Sequence, residues 1–365
     1  MRVQVVDPSA FTPPYDHALC TALGEAGAEV ELFTSHFAYG PVMPARAYRR
    51  EELFYRGASR IKSPSVRRLA KLAEHVPDML RYRRRSAAAE VIHFQWLTVQ
   101  QLDGALLPAR RPGRPLLITA HDILPREARP GQRAAQRRLY DRFDAVVVHS
   151  EHGRTRLVEE LGLDARLVHV IPHGALAHLA EQPPAPHEKR PEEPVVLCFG
   201  LMRPYKGIDV LLEAWHGIEG AELWVAGMPR MDISPLTAAA PPGVRFFPRF
   251  IGDTELPAFF RAASLVVLPY REIDQSGVLF TALAFGKPLL LSDVGGFPEV
   301  AASGAARTVP AGDAGALHDE LAALLGDPAA LAAMAERARA AAGGVYSWAG
   351  IAEQTLALYR ALGAG

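Results

Sequence analysis

Two short runs in the C-terminal half hold residues suited to an anion. One is Cys198-Phe199-Gly200-Leu201-Met202-Arg203-Pro204-Tyr205-Lys206-Gly207. The other begins at Gln275-Ser276-Gly277-Val278-Leu279, continues to Ala284-Phe285-Gly286-Lys287-Pro288, and is followed by Gly295-Gly296-Phe297-Pro298-Glu299. In each, an apolar strand-like segment feeds a loop holding Gly or a cation, and a helix-like segment follows. Such a turn converges backbone N–H groups and the positive end of a helix dipole on a phosphate. Two of them in one α/β half point to a nucleotide-diphosphate ligand. Arg203 offers a planar fork and Lys206 a point charge. Both suit a diphosphate, and both would neutralise a nucleotide leaving as its bond breaks. The plain alternative is surface cations capping a loop. The N–H groups of Gln275, Ser276 and Gly277, with the Ser276 hydroxyl, suit phosphate or a sugar hydroxyl; the alternative is a tight turn at a helix start with Ser or Asp as N-cap. Glu272 and Asp274 flank this loop and can accept from sugar hydroxyls.

In the first half, His121-Asp122 follows an apolar run at 116–119, and strand ends are where α/β sheets bind ligands. A lone histidine is more often a satisfied loop or core residue. His149 and His152 with Glu151 between them look metal-like, but no third ligand follows at a convincing spacing, so they read as structural. The chain has no Asp-x-Asp, no GxSxG and no Walker loop. Charge neutralisation then falls to Arg, Lys and helix termini, and neither a metal nor a cofactor is expected.

The elements that must position these residues alternate. Residues 3–6 read as a strand, 16–26 as a helix after the Pro13-Pro14 break, and 30–34 as a second strand. This opening predicts a doubly wound parallel sheet. No GxGxxG follows the first strand, which disfavours a dinucleotide site. Further strands are expected at 91–94, 116–119, 145–148 and 167–171. Residues 181–194 hold five prolines and no apolar period, the mark of a linker. The second half repeats the rhythm with strands at 195–199, 223–226, 244–247, 265–268, 288–291 and 307–309. It ends in Ala-rich helices at 313–325, 328–342 and 347–362, the last striped with Trp348, Ile351, Leu356 and Leu362.

At 365 residues, 49% hydrophobic and 22% charged, the chain suits two globular domains. Formal net charge is zero, against a general nucleic-acid binder, yet residues 1–180 carry 26 Lys and Arg against 19 acids. The other half has the opposite imbalance. Residues 56–85 hold ten basic residues against Glu74 and Asp78. Val66, Leu69, Leu72, Val76, Met79, Leu80 and Tyr82 lie near helical spacing among them, with Pro77 expected to kink or divide the segment. That is either a solvated helix face or a basic amphipathic surface for anionic lipid. A second basic stretch holds Arg126, Arg129, Arg133, Arg137, Arg138 and Arg142. Cys20 and Cys198 make no disulfide framework. No signal-peptide core precedes the first strand, and no apolar run nears the roughly 20 residues that span a bilayer. A cytoplasmic protein, peripheral at the inner face of the membrane, is the expectation.

Taken in order, FGLMRPYKG, DVLLEAW, LVVLPY, SGVL, ALAFGKPLL and GGFPE resemble the retaining glycosyltransferases of family 4 (glycosyl transferases group 1). ITAHD, AVVVHSE, VIPHG and the terminal YSWAGIAEQTLALYRAL extend the resemblance over nearly the whole chain. It implies the GT-B fold, with two Rossmann-like domains facing across a cleft. These are an acceptor domain over 1–180, a linker over 181–194, a nucleotide-sugar domain over 195–345, and a helix over 346–365 that packs back on the first domain. It implies transfer of a hexose, with retention, from a UDP-sugar such as UDP-glucose, with GDP-mannose next, to an acceptor hydroxyl on a lipid or lipid-linked glycan. A sugar-nucleotide epimerase and a non-catalytic nucleotide-sugar-binding protein are the alternatives. By position, Arg203 and Lys206 fall in the diphosphate loop and His121 close to the donor sugar. Phe250-Ile251-Gly252 falls where backbone holds the base, and Val278, Leu279 and Thr281 fall in the second loop and its helix. The family's Arg after the first Gly is Leu201 here, and Arg203 is the candidate replacement. Its two glutamates fall on Ile273 and Thr281; Glu272 and Asp274 are the candidates for the first role after a one-residue shift, and the ribose contact of the second is weakened or replaced. With no carboxylate nucleophile, the resemblance implies front-face attack, the leaving phosphate oxygen taking the acceptor proton.

Overall fold

The computed structural model describes residues 1–61, 63–123, 131–183 and 192–363. They divide into two compact units, Met1–Pro172 with Trp348–Gly365, and His173–Ser347. Lys62, Arg126, Arg129 and most of the expected linker, 184–191, lie outside the described residues.

The first unit is built on a parallel sheet of seven strands: β1 Arg2–Asp7, β2 Glu29–Ser35, β3 Arg49–Phe54, β4 Val91–Phe94, β5 Leu116–Thr119, β6 Ala145–Val148 and β7 Val168–Val170. Their order is β3-β2-β1-β4-β5-β6-β7. Val3 pairs with Val30 on one side and Val91 on the other. Strands β4, β5 and β6 are buried at every position. That is the pattern of a sheet with both faces covered, and it explains their unbroken apolar sequences. The second unit repeats the design with β8 Val195–Phe199, β9 Glu222–Ala226, β10 Val244–Phe247, β11 Ala263–Leu268, β12 Leu289–Ser292 and β13 Ala306–Val309. Their order is β10-β9-β8-β11-β12-β13, again all parallel. In each unit the chain moves outward one way and then crosses the first strand to build the other way. The crossing puts the ends of neighbouring strands where α/β proteins bind ligands.

Three elements differ from expectation. β3, with the sequence RREELF, has no apolar run; it is an edge strand whose burial is confined to its end, Leu53 and Phe54. Helix α1 (Pro13–Glu25) starts at the proline pair instead of after it, because prolines in the first turn lack only amides that have no helical partner. Helix α2 (Pro64–Arg85) runs unbroken through Pro77. Pro77 and Ala73 are both exposed, so the carbonyl that loses its helical donor faces water.

Helix α3 (Ile208–Ala214) follows β8 and helix α4 (Gly277–Ala284) follows β11. The last helix, α5 (Trp348–Ala361), packs on α1 within the first unit. Its expected stripe is real: Ile351 and Leu356 are buried with Val3, Leu19 and Leu23, and Trp348 and Leu362 pack at the margin. A polar pin adds to this. His93 of β4 lies 2.7 Å by Nδ1 from the Tyr359 hydroxyl and 2.8 Å by Nε2 from the Thr119 hydroxyl. Burial holds this imidazole neutral, pushing its pKa down to about 3.

Candidate functional site

In the second unit the site is a set of strand ends. After β8 the chain makes one 3-10 turn, Pro204–Lys206, and enters α3 through Gly207. Gly207 has φ 65°, and a Cβ there would lie 1.9 Å from the Pro269 carbonyl oxygen, so only glycine lets the turn lie against the end of β11. The turn delivers Lys206 inward. The side chain is 7% exposed, and its Nζ stands 3.7 Å from the Tyr270 ring centroid and 5.4 Å from that of Tyr205. Gly200 (φ 116°) leaves room beside it: a Cβ there would lie 3.2 Å from Val278 Cγ2 and 4.0 Å from Lys206 Nζ. Arg203, on extended backbone, is exposed.

The turn is locked from β11. Arg271 donates to both carboxylate oxygens of Asp209 (2.8 and 2.6 Å) and to the Pro204 carbonyl (2.9 Å), and its backbone N–H donates to Tyr205 (2.8 Å). The guanidinium holds the Asp209 carboxyl below the usual range. Neither Tyr270 nor Arg271 nor Asp209 was singled out from sequence. Each meets its partner only because β8 and β11 are neighbours.

The second loop is brought to the same edge. The Ser276 hydroxyl turns to the Tyr270 hydroxyl (3.4 Å) and makes no capping bond to α4. Ser276 stands at the N-cap position without a side-chain capping bond, and α4 presents its first amides at Gly277 and Val278, while the Leu279 N–H donates to the Ser276 carbonyl (3.1 Å). Thr281 is buried, its hydroxyl donating to the Gly277 carbonyl (2.9 Å) within α4. Glu272 is exposed, while Ile273 and Asp274 are buried. The Asp274 carbonyl accepts from Gly296 N–H, which joins this loop to Gly295-Gly296 after β12. Gln275 is half-buried between them. Phe250 and Ile251 stand apart, on the loop after the edge strand β10, half-buried and buried respectively. Two residues on, burial raises the Asp253 carboxyl to about 6.

In the first unit His121 is not a lone residue. Its Nε2 lies 3.2 Å from Gln95 Oε1 and its Nδ1 3.4 Å from His149 Nε2. Its ring stacks on Trp96 (4.9 Å, 13°) and meets Tyr15 edge-on at 4.7 Å. His149 Nδ1 lies 3.0 Å from the Ile171 carbonyl, and burial drives His149 down to about 4, so the ring beside His121 is neutral. Asp7 and Asp16 are both buried below this edge. Burial raises both carboxyls, that of Asp16 well above the usual range. Among the described residues no group of three or more His, Cys, Asp or Glu is placed to hold a metal ion. Nor is any of their helices long and apolar enough to cross a membrane.

Comparison with known proteins gives a consistent assignment. The family described as "Glycosyl transferases group 1" matches residues 193–327, and "Glycosyl transferase 4-like domain" matches residues 14–174. A D-inositol 3-phosphate glycosyltransferase of Mycobacterium avium (strain 104) is 27% identical over 253 residues, 63% of this chain and 58% of the relative. The GDP-mannose-dependent alpha-(1-6)-phosphatidylinositol monomannoside mannosyltransferase of Mycolicibacterium smegmatis is 30% identical over 226 residues, 56% of this chain and 59% of the relative. The chain thus spans less than two thirds of the length of these relatives. The fold matches that of Anabaena HepE, solved in complex with UDP and glucose, with a TM-score of 0.75 at 18% identity over 99% of this chain and 100% of that one. The chain thus carries a glycosyl transferase 4-like domain followed by a group 1 glycosyl transferase domain, and has the GT-B fold.

Proposed function

We propose that the protein moves a hexose from a nucleotide-diphosphate sugar to an acceptor hydroxyl with retention of anomeric configuration. The observation that carries this reading is Lys206. A buried ammonium, set on the face of Tyr270 at the start of a helix and beside the uncapped α4, is built for a diphosphate. Arg203 and Lys206 absorb the negative charge that develops on the departing nucleotide, and preorganised cations do so without reorganisation cost. His121, in the first unit, takes its assignment to the sugar from the family resemblance. Glu272, Asp274, Gln275 and Ser276 receive the donor's hydroxyls and phosphates. Gly277 and Val278 offer backbone amides, Leu279 closes the turn by donating to the Ser276 carbonyl, and Phe250 and Ile251 hold the base. Thr281, turned into its own helix, shapes α4 in place of a ribose contact. No carboxylate nucleophile is assigned; the leaving phosphate oxygen takes the acceptor proton. UDP-glucose is the first donor to test and GDP-mannose, named in the M. smegmatis relative, the next.

The acceptor is a lipid or lipid-linked glycan reached at an anionic surface. Support comes from α2, whose outward face carries Val66, Leu69, Leu72, Val76 and Leu80, all exposed, while Met79 and Tyr82 turn into the core. Arg68, Arg83 and Arg84 are exposed around it, whereas Arg81 pairs with Asp78 and Arg85 with Glu51. An apolar stripe rimmed by cations suits a headgroup layer better than nucleic acid.

The test is donor turnover with and without added lipid acceptors, with the product anomer read by NMR. Transfer that needs the acceptor and retains configuration is expected, and Lys206→Ala lowers kcat about 100-fold or more. Donor consumption that ignores the acceptor would overturn the reading.

A further inference from the structure

Helix α4 offers its first amides but almost no polar side chain. Its sequence is GVLFTALA, with one hydroxyl and neither a carboxylate nor a side-chain amide. That hydroxyl is spent, since Thr281 is 4% exposed and donates to the Gly277 carbonyl (2.9 Å). The helix is also gripped from behind. Phe280 stacks on His173 (4.3 Å, 14°) and meets Tyr346 edge-on at 5.3 Å, and its carbonyl accepts from the Leu176 N–H (3.3 Å). A helix held in this way does not roll to bring Thr281 outward.

The surface that α4 turns to the diphosphate loop is apolar. A Cβ on Gly200 would lie 3.2 Å from Val278 Cγ2 and 4.0 Å from Lys206 Nζ, so the valine methyl and the ammonium converge on one point of that loop. Leu201, next to Gly200, is 38% exposed. A small cavity beside Lys206 is lined by Cys198, Met202, Ile208 and Val225, and among the described residues of its lining Lys206 alone carries charge. The polar residues of the neighbouring loop have other work. The Ser276 hydroxyl lies 3.4 Å from that of Tyr270, and Gln275 Oε1 accepts from the Ser276 N–H (3.4 Å). Glu272 and Asp274 precede α4 and serve the transferred sugar in the transferase reading.

In a nucleotide the ribose is joined to the first phosphate through its 5′ oxygen. A diphosphate held by Lys206 and the α4 amides therefore sets the ribose against Val278 and the flank of α4. A carboxylate or amide there would pair with a ribose hydroxyl, and α4 supplies neither. A 2′-hydroxyl laid on Val278 gives up water and gains no partner. The two kinds of site discriminate unequally. One built to hydrogen-bond a hydroxyl strongly rejects the analogue without it, whereas an apolar one acts weakly, and against the hydroxyl.

We infer that the site does not read the 2′-hydroxyl, so that 2′-deoxynucleoside diphosphate sugars serve as donors at least as well as their ribose counterparts. Val278 and Thr281 set this choice. The inference rests on the transferase reading and sharpens its donor class.

The experiment is isothermal titration calorimetry on the full chain with UDP, GDP and ADP, each beside its 2′-deoxy form. The two members of a pair share their base, so the ratio of their Kd values reports the 2′ position alone. In whichever pair binds, the deoxy form should bind within about threefold of the ribose form, or more tightly. A ribose form favoured by more than that overturns the inference, because some group then receives the hydroxyl. Two variants add the missing partner. Thr281→Glu sets a carboxylate on α4, and Val278→Gln sets an amide at a half-buried position that the fold tolerates more easily. Either should turn the ratio about tenfold toward the ribose form. If both fold and both leave the ratio unchanged, the ribose does not lie on α4 and the inference fails. No binding in any pair would sink the transferase reading itself, whereas binding with a ribose preference would sink only the inference about the 2′ position.

Discussion

Lys206 and Tyr270, far apart in sequence, meet with the ammonium nitrogen 3.7 Å from the ring centroid. The contact is possible because β8 and β11 are adjacent and parallel, so the loops that leave them share one edge. It solves a problem of charge burial. A sheltered ammonium is costly, and an aromatic face beside it stabilises the cation. Tyr270→Leu should therefore lower kcat with donor about tenfold, the worth of a desolvated cation–π contact. Tyr270→Phe, which keeps the face, should stay near wild type. If Phe is as impaired as Leu, the hydroxyl contact to Ser276 matters and the ring does not.

The fork from Arg271 to Asp209 is the second device, and its two roles can be separated. Arg271 and Asp209 side chains are 42% and 53% exposed, so the pair contributes at most about 1 kcal/mol to stability, and Asp209→Asn should shift Tm by no more than about 3 °C. The same change weakens the grip on the Arg271 guanidinium that also donates to the Pro204 carbonyl, and so loosens Pro204–Lys206 against the end of β11. A misplaced catalytic cation is costly, so kcat/KM for donor should fall about 10- to 100-fold. Steady-state kinetics beside a melting curve decides the matter. A large Tm loss with unchanged kinetics would make the fork structural.

For α2 the membrane reading separates charge from insertion. Leu69 is 68% exposed and Leu72 49% exposed, so Leu69→Glu with Leu72→Glu should fold normally. The pair should nevertheless abolish sedimentation with phosphatidylglycerol vesicles, since each leucine contributes roughly 1.5–3 kcal/mol when buried. Arg83→Ala with Arg84→Ala should weaken binding by about 1 kcal/mol per residue, and the loss should be smaller in high salt. Vesicle binding indifferent to both pairs would leave α2 as a solvated helix face.

These contacts also show what the chain made legible before folding. The central strands could be read directly because burial on both faces demands unbroken apolar runs, as in Val195–Phe199 and Leu289–Ser292. β3 was invisible because an edge strand that buries only its last residues can be written RREELF. Arg203, Lys206 and Ser276 were singled out by residue type beside glycine. Tyr270, which meets Lys206 and Ser276, and Arg271, which ties down Pro204 and Tyr205, were not, because strand order, unlike periodicity, leaves no local mark. His121 was read as isolated for the same reason, since Gln95, Trp96 and His149 reach it from the ends of β4 and β6. Pro77 does not divide α2, because its ring and the carbonyl it orphans lie on exposed residues.

The last prediction concerns the His93 pin and its sign with pH. In the folded unit burial, and then the neighbouring His149, hold His93 down to about 3, whereas in the unfolded chain it titrates near 6.5. Between those values the unfolded chain carries one more proton at this residue, so stability from His93 is intact above about pH 6.5 and is lost as pH falls toward 3. The buried carboxyls of Asp7 and Asp16, raised in the fold, act with the opposite sign, and His149, lowered to about 4, acts with the same sign. Comparison with a variant isolates the one group. His93→Gln can still bond Tyr359 and Thr119 but does not titrate. From pH 7.5 to pH 5 the wild type should lose about 2 kcal/mol more than the variant in urea denaturation of the first unit. Parallel pH profiles would mean that His93 is not held neutral in the fold, and that Tyr359 anchors α5 without it.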